Sequence, residues 1–98
     1  MEKILNAKIK FTNLSGYGYN DNNLTLVMGF DVEKNQTYQT EKLLINPKQI
    51  KTILSVLELN AWEELPRKFA RIKVEIPGNK IIAVGNLLDE RWVNLYEN

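Results

Sequence analysis

Leu5, Ala7, Ile9 and Phe11 alternate with Asn6, Lys8, Lys10 and Thr12. A period of two does not suit a helix, so the amino terminus predicts a strand with one wet face. The stretch 13–23 holds Ser15, Gly16, Gly18, Asn20, Asp21, Asn22 and Asn23, residues that tolerate turns and positive φ, and it reads as a loop. Leu24, Leu26, Met28, Phe30 and Val32 then alternate with Thr25, Val27, Gly29, Asp31 and Glu33, giving a second strand with a clear inner face. A tight turn at 34–36 returns the chain as a third strand over 37–45, with Leu43 and Ile45 on one face and Tyr38 and Leu44 on the other.

At Asn46 the pattern changes to spacings of three and four. Asn46 as N-cap, Pro47 in the first helical position and Gln49 two residues later form a capping-box start. Ile50, Ile53, Leu54 and Leu57 make the buried stripe, and Asn60 suits a left-handed residue after a helix ending at Leu59. Ala70, Ile72, Val74 and Ile76 then alternate with Arg71, Lys73 and Glu75 as a fourth strand, the turn at 77–79 follows, and 80–85 returns as a fifth. The tail, with Leu87, Leu88, Trp92, Val93 and Leu95, is too apolar to float free and predicts a turn or short helix folded onto the sheet.

The expected fold is α+β over one domain, 1–98: five antiparallel strands with one helix between strands three and four. That order, strand-strand-strand-helix-strand-strand, fits an OB-like barrel, and equally an open sheet with the helix on one face. In the open form, unpaired edges would favour a homo-oligomer by sheet extension. The predicted common core is Leu5, Ala7, Ile9, Phe11, Leu26, Met28, Phe30, Ile50, Ile53, Leu54, Leu57, Ile72, Val74, Ile81 and Trp92, with Trp62 and Leu65 seating the crossover from helix to strand.

Composition narrows the chemistry. Thirteen basic and twelve acidic residues leave a net charge of +1, against both a DNA-mimicking acidic protein and a histone-like basic one. The chain has no histidine and no cysteine, so nucleophile pairs, zinc sites and thiol centres that use them are excluded. Asp21 among asparagines lacks the spacing of a calcium loop, and the Gly16-Tyr17-Gly18-Tyr19 run lacks a phosphate-loop pattern. Glu63 with Glu64, and Asp89 with Glu90, are adjacent and point apart, which does not suit acid-base work. The expectation is a protein that is not an enzyme, with no catalytic residue, metal or cofactor. No apolar run reaches the length of a membrane span, so a cytoplasmic location without membrane partners is expected.

Two groups are candidates for contact with a ligand or partner. Tyr17 and Tyr19 offer two large rings with hydroxyls on a pliable loop. Arg71 and Lys73 are a basic pair on one strand face, able to grip a phosphate or carboxylate. Single-stranded nucleic-acid binding would need aromatics on strand two, where Thr25, Val27, Gly29 and Asp31 stand instead; general nucleic-acid binding is disfavoured.

The carboxyl half resembles a pattern in small uncharacterised phage and prophage proteins: Trp-Glu-x-Leu after a helix, an Arg-x-x-Val strand, a Lys-Ile hairpin ending in Val-Gly-Asn, and an Asp-x-x-Trp tail. The matching residues are Trp62, Glu63, Leu65, Lys68, Arg71, Val74, Lys80, Ile81, Val84, Gly85, Asn86, Asp89 and Trp92. The group carries a Gly-rich aromatic stretch in strands two and three, where this chain has Gly29 alone. The resemblance implies a phage setting inside the host cell cytoplasm. It further implies a counter-defence protein that binds a host defence protein, as an anti-CRISPR-like inhibitor does, or sequesters a small nucleotide immune signal. The alternative is an OB-like accessory protein that touches single-stranded nucleic acid in phage replication or recombination.

Overall fold

The computed structural model describes residues 1–16, 24–33 and 35–96. Seven strands form one antiparallel sheet: β1 (Glu2–Gly16), β2 (Leu24–Val32), β3 (Gln36–Gln39), β4 (Leu43–Ile45), β5 (Phe69–Glu75), β6 (Lys80–Gly85) and β7 (Trp92–Asn94). The single α-helix among the described residues, α1 (Pro47–Val56), lies between β4 and β5. Strand order is β3-β2-β1-β5-β6-β7, with β4 also paired to β2. No ladder joins β6 or β7 to β3 or β4 among the described residues, so the sheet is open and not a closed barrel.

β1 is the spine, with β5 along one edge and β2 along the other, and it carries a bulge. Residues 2–8 pair with β5 and 7–16 pair with β2, with the register slipping between Ile9 and Phe11. One extra residue in a strand reverses the facing of everything after it. Ala7 and Ile9 therefore join Phe30 in the core, whereas Phe11 crosses to the opposite face, opposite Gly29. The sequence alternation had placed Phe11 inside; the bulge at Lys10 is why it is not. The strand also runs to Gly16, paired with Leu24, beyond the loop start expected at residue 13.

The inner face of β2 stands as read, with Leu26, Met28 and Phe30 fully buried. The expected third strand is broken in two at 40–42. Thr40 exchanges hydrogen bonds with Met28 through its N–H (2.9 Å) and its hydroxyl (3.0 Å). The irregularity shifts the facing here as well: Tyr38 pairs with Phe30 and packs against the core, while Leu44 is exposed.

α1 begins as expected. The Asn46 Oδ1 accepts the Gln49 N–H at 2.9 Å and the Gln49 Oε1 accepts the Asn46 N–H at 3.0 Å. It ends earlier, at Val56, with Glu58 and not Asn60 in the left-handed region (φ 58°). Leu59 N–H reaches Leu54 O (2.9 Å) and Glu58 N–H reaches Ser55 O (3.1 Å), the paired bonds of a Schellman closure, and Leu54 and Leu59 both pack against the core. Ile53 and Leu57 are fully buried, Val56 nearly so, and Ile50 and Leu54 are half-buried. Leu65 is buried and Trp62 packs against the core in the crossover.

β5 and β6 fall where the sequence placed them. The tail folds onto the sheet as expected, but as an edge strand followed by a turn at 95–96 and not as a helix: Trp92–Asn94 pairs with β6. Val93 and Leu95 enter the core, but Trp92 lies on the other face. The terminal strands of the order, β3 and β7, are short, and residues 11–16 of β1 pair with β2 alone. No helix among the described residues is long and apolar enough to cross a membrane.

Candidate interaction surface

The sheet face turned away from α1 has one repeated device. Phe11 covers Gly29, and Trp92 covers Gly85, each aromatic lying across the glycine opposite it in the neighbouring strand. A Cβ at residue 29 would stand 2.2 Å from the Phe11 ring, and one at residue 85 would stand 2.5 Å from the Trp92 ring. Glycine is required at both positions because a ring occupies the place of its side chain.

Arg71 and Lys73 are brought together on this face, both against Trp92. Their cationic groups lie 4.9 Å and 4.4 Å from the indole centroid. The Arg71 guanidinium also donates to Asn86 O at 2.8 Å and to Asp89 O, and pairs with Glu90 at 3.5 Å. Arg71 thus ties β5 to the loop that follows β6. Tyr17 and Tyr19 lie outside the described residues.

That loop, residues 86–91, is held by side chains at its base. Asn86 is buried, and its amide donates to Val56 O (2.8 Å) and Glu58 Oε1 (3.3 Å) while its Oδ1 accepts the Leu88 N–H (2.9 Å). Asp89 accepts the backbone N–H of Arg91 (3.0 Å) and its guanidinium (2.8 Å). Arg91 in turn pairs with Glu58 and reaches Ser55 O at 3.4 Å. Asn86 and Arg91 together donate to carbonyls at the end of α1, Val56 O and Ser55 O, where a cation is favoured. The Asp89 carboxyl is held below the usual carboxylate range, chiefly by the hydrogen bond from the Arg91 side chain, then by the Arg91 N–H. Glu64 closes the turn after α1, accepting from Asn60 and Ala61. Gly85, Asn86, Asp89 and Trp92, singled out by their spacing, are thus the parts of one scaffold.

The scaffold presents Leu87 and Leu88 to solvent, Leu88 at 90% exposure. Beside them stands Phe69, 56% exposed, the outward-facing first residue of β5. A cleft of about 370 Å³ runs between the end of α1, the segment 67–69 and the loop, lined by Leu57, Glu58, Arg67, Phe69, Asn86 and Leu88 among others. A second hollow of about 270 Å³ on the far side of Phe69 and Leu87 is lined by Asn6, Lys8, Asp31 and Glu33. Phe69 and Leu87 line both hollows and separate them as a ridge.

Three cations frame the ridge. Lys8 stands opposite Phe69 in the ladder, its Nζ 5.8 Å from the ring centroid. Arg67 has a left-handed backbone (φ 76°), locked by its N–H to Ile9 O at 2.7 Å, and Lys68 N–H bonds Leu65 O at 3.0 Å. Arg71 and Arg91 have acidic partners, whereas Arg67, Lys68 and Lys8 have none among the described residues.

The sequence reading did not single out this surface. Its signal was present: Phe69 shares the phase of Arg71, Lys73 and Glu75, an aromatic on the wet side of a strand, and the Leu87-Leu88 pair interrupts a run of turn-forming residues. Comparison of the chain with family models, curated proteins and solved structures gives no match.

Proposed function

We propose that the protein is a non-catalytic binding protein and, on the resemblance of its carboxyl half to small phage proteins, a counter-defence factor that docks on a host defence protein. The observation that carries the binding reading is the exposed apolar surface of Phe69, at the start of β5, with Leu87 and Leu88 on a loop whose polar groups are bonded at its base. Exposed large apolar side chains on a preorganised support are what a docking surface needs, because little conformational freedom is lost on contact. The non-catalytic reading is supported by the lack of histidine and cysteine in the chain. Tyr17, Tyr19, Arg71 and Lys73 remain part of the proposed contact set, with Lys73 the freer of the two cations on Trp92.

The test is phage plating on host strains that each carry one defence system, with and without the expressed chain. Rescue of plating in at least one strain, with no change in a strain lacking such systems, is the expected result. Absence of rescue across a broad panel counts against the counter-defence reading.

A further inference from the structure

We infer that the ridge docks an acidic protein segment that inserts one large apolar side chain between Phe69, Leu87 and Leu88. The inference rests on the binding reading above and names the partner's chemistry. Two features of the cleft choose that chemistry.

The first is charge. Glu58 lines the cleft and shares Arg91 with Asp89, while the two other charges of the lining, Arg67 and Lys68, have no acidic partner among the described residues, with Lys8 on the far side of Phe69. Asp31 and Glu33 lie beyond Phe69, in the second hollow. The side facing α1 is therefore cationic, and a partner must bring carboxylates there to complement it.

The second is which polar groups remain to read a ligand. The Asn86 amide gives its N–H groups to Val56 O and Glu58, and its oxygen accepts Leu88 N–H. The one side-chain amide of the cleft is thus occupied inside the protein, and what faces outward is apolar surface with the charges of Arg67 and Lys68. An amide to discriminate one base from another is not offered there, whereas an apolar side chain flanked by carboxylates is matched by the apolar surface and the two cations that are present. A cleft of about 370 Å³ is at the small end of the range for ligand sites, suited to one or two inserted side chains.

The arrangement of Arg67 supports this. A non-glycine residue in the left-handed region costs free energy, and such outliers gather at binding sites. Two left-handed residues, Glu58 and Arg67, line this cleft, and Arg67 has no acidic partner among the described residues and is next in line to Lys68 and Phe69.

The experiment is a titration of the ¹⁵N-labelled full chain followed by amide chemical shifts. Three probes are used: an acidic hexapeptide with a Leu-Phe centre flanked by Asp and Glu, the same peptide with Asn and Gln in place of the acids, and an adenine dinucleotide. The acidic peptide is expected to move the amides of Arg67, Lys68, Phe69, Leu87 and Leu88. The neutral peptide should bind at least about fivefold more weakly, and raising salt from about 50 to about 300 mM should reduce the difference. The combined Arg67→Glu and Lys68→Glu change should weaken acidic-peptide binding by a similar factor, and Leu88→Ser should weaken both peptides. No shift at these amides with the acidic peptide would overturn the inference. So would equal binding of the neutral peptide, or stronger perturbation of the same amides by the dinucleotide. Plating rescue is read separately on the unmodified chain. Rescue without peptide binding sinks this inference and leaves the counter-defence reading; peptide binding without rescue does the reverse.

Discussion

Trp92 lies across Gly85 of the adjoining strand, its Cε3 2.5 Å from where a Cβ on residue 85 would stand. The ring therefore occupies the only place a side chain at 85 could use, and it also carries the cations of Arg71 and Lys73. Gly85→Ala is expected to lift the indole and destabilise the fold by about 1 to 3 kcal/mol, the range for overpacking a filled site. Urea unfolding measures it. An unchanged midpoint would mean that the ring is not seated there.

Phe11 and Gly29 make the same contact on the same face, between β1 and β2, which permits a test by coupling. Gly29→Ala alone should cost about 1 to 3 kcal/mol. In a Phe11→Ala background, where the ring is gone, the same change should cost far less, because neighbouring substitutions that share a contact are not additive. Additive costs in the double-mutant cycle would contradict the packing.

Asn86 joins the loop to the end of α1 through Val56 O and Leu88 N–H. Asn86→Ala leaves both groups without that partner at a buried site and is expected to cost about 1 to 3 kcal/mol. Amide hydrogen exchange at Leu88 should accelerate more than exchange in β2. Equal acceleration throughout would indicate global loosening, not release of the loop.

Asp89 ties Arg91 back to its own loop, and its carboxyl pKa is lowered by that contact. A carboxyl with a lower pKa folded than unfolded stabilises the protein above its unfolded value, near ~3.9, and that contribution fades as pH falls through the folded value. Asp89→Asn should thus lower the melting temperature at neutral pH, and the gap to the unmodified chain should narrow as pH drops below about 4. A gap that stays constant into strong acid would show that the charge of Asp89 is not what stabilises.

The strand phases of β2, β5 and β6 and the start of α1 were legible in the sequence because each depends on local alternation or on a cap within four residues. What was not legible depends on single-residue irregularities. The bulge at Lys10 moves Phe11 to the far face, and the break at 40–42 separates the facing of Tyr38 from that of Leu44. Neither leaves a glycine or proline at the point of change. The end of α1 moved because Glu58, held by Asn86 and Arg91 from distant sequence, takes the left-handed position that local preference gives to Asn60. The spacing of Gly85, Asn86, Asp89 and Trp92 was visible, but its meaning as a stapled loop required the third dimension. The surface it supports was missed because Leu87 and Leu88 read as packing residues, and only the closed network beneath them leaves them outside.

The central claim is that Phe69 and Leu88 stand on the surface for a partner and not for the fold. The most direct measurement is a double variant, Phe69→Ser with Leu88→Ser, assayed for melting and for rescue of phage plating on the strain where the unmodified chain rescues. Exposed positions of this kind each shift stability by no more than about 0.5 kcal/mol, so near-unchanged melting with rescue lost is the expected result. Full rescue by a folded double variant would contradict the claim.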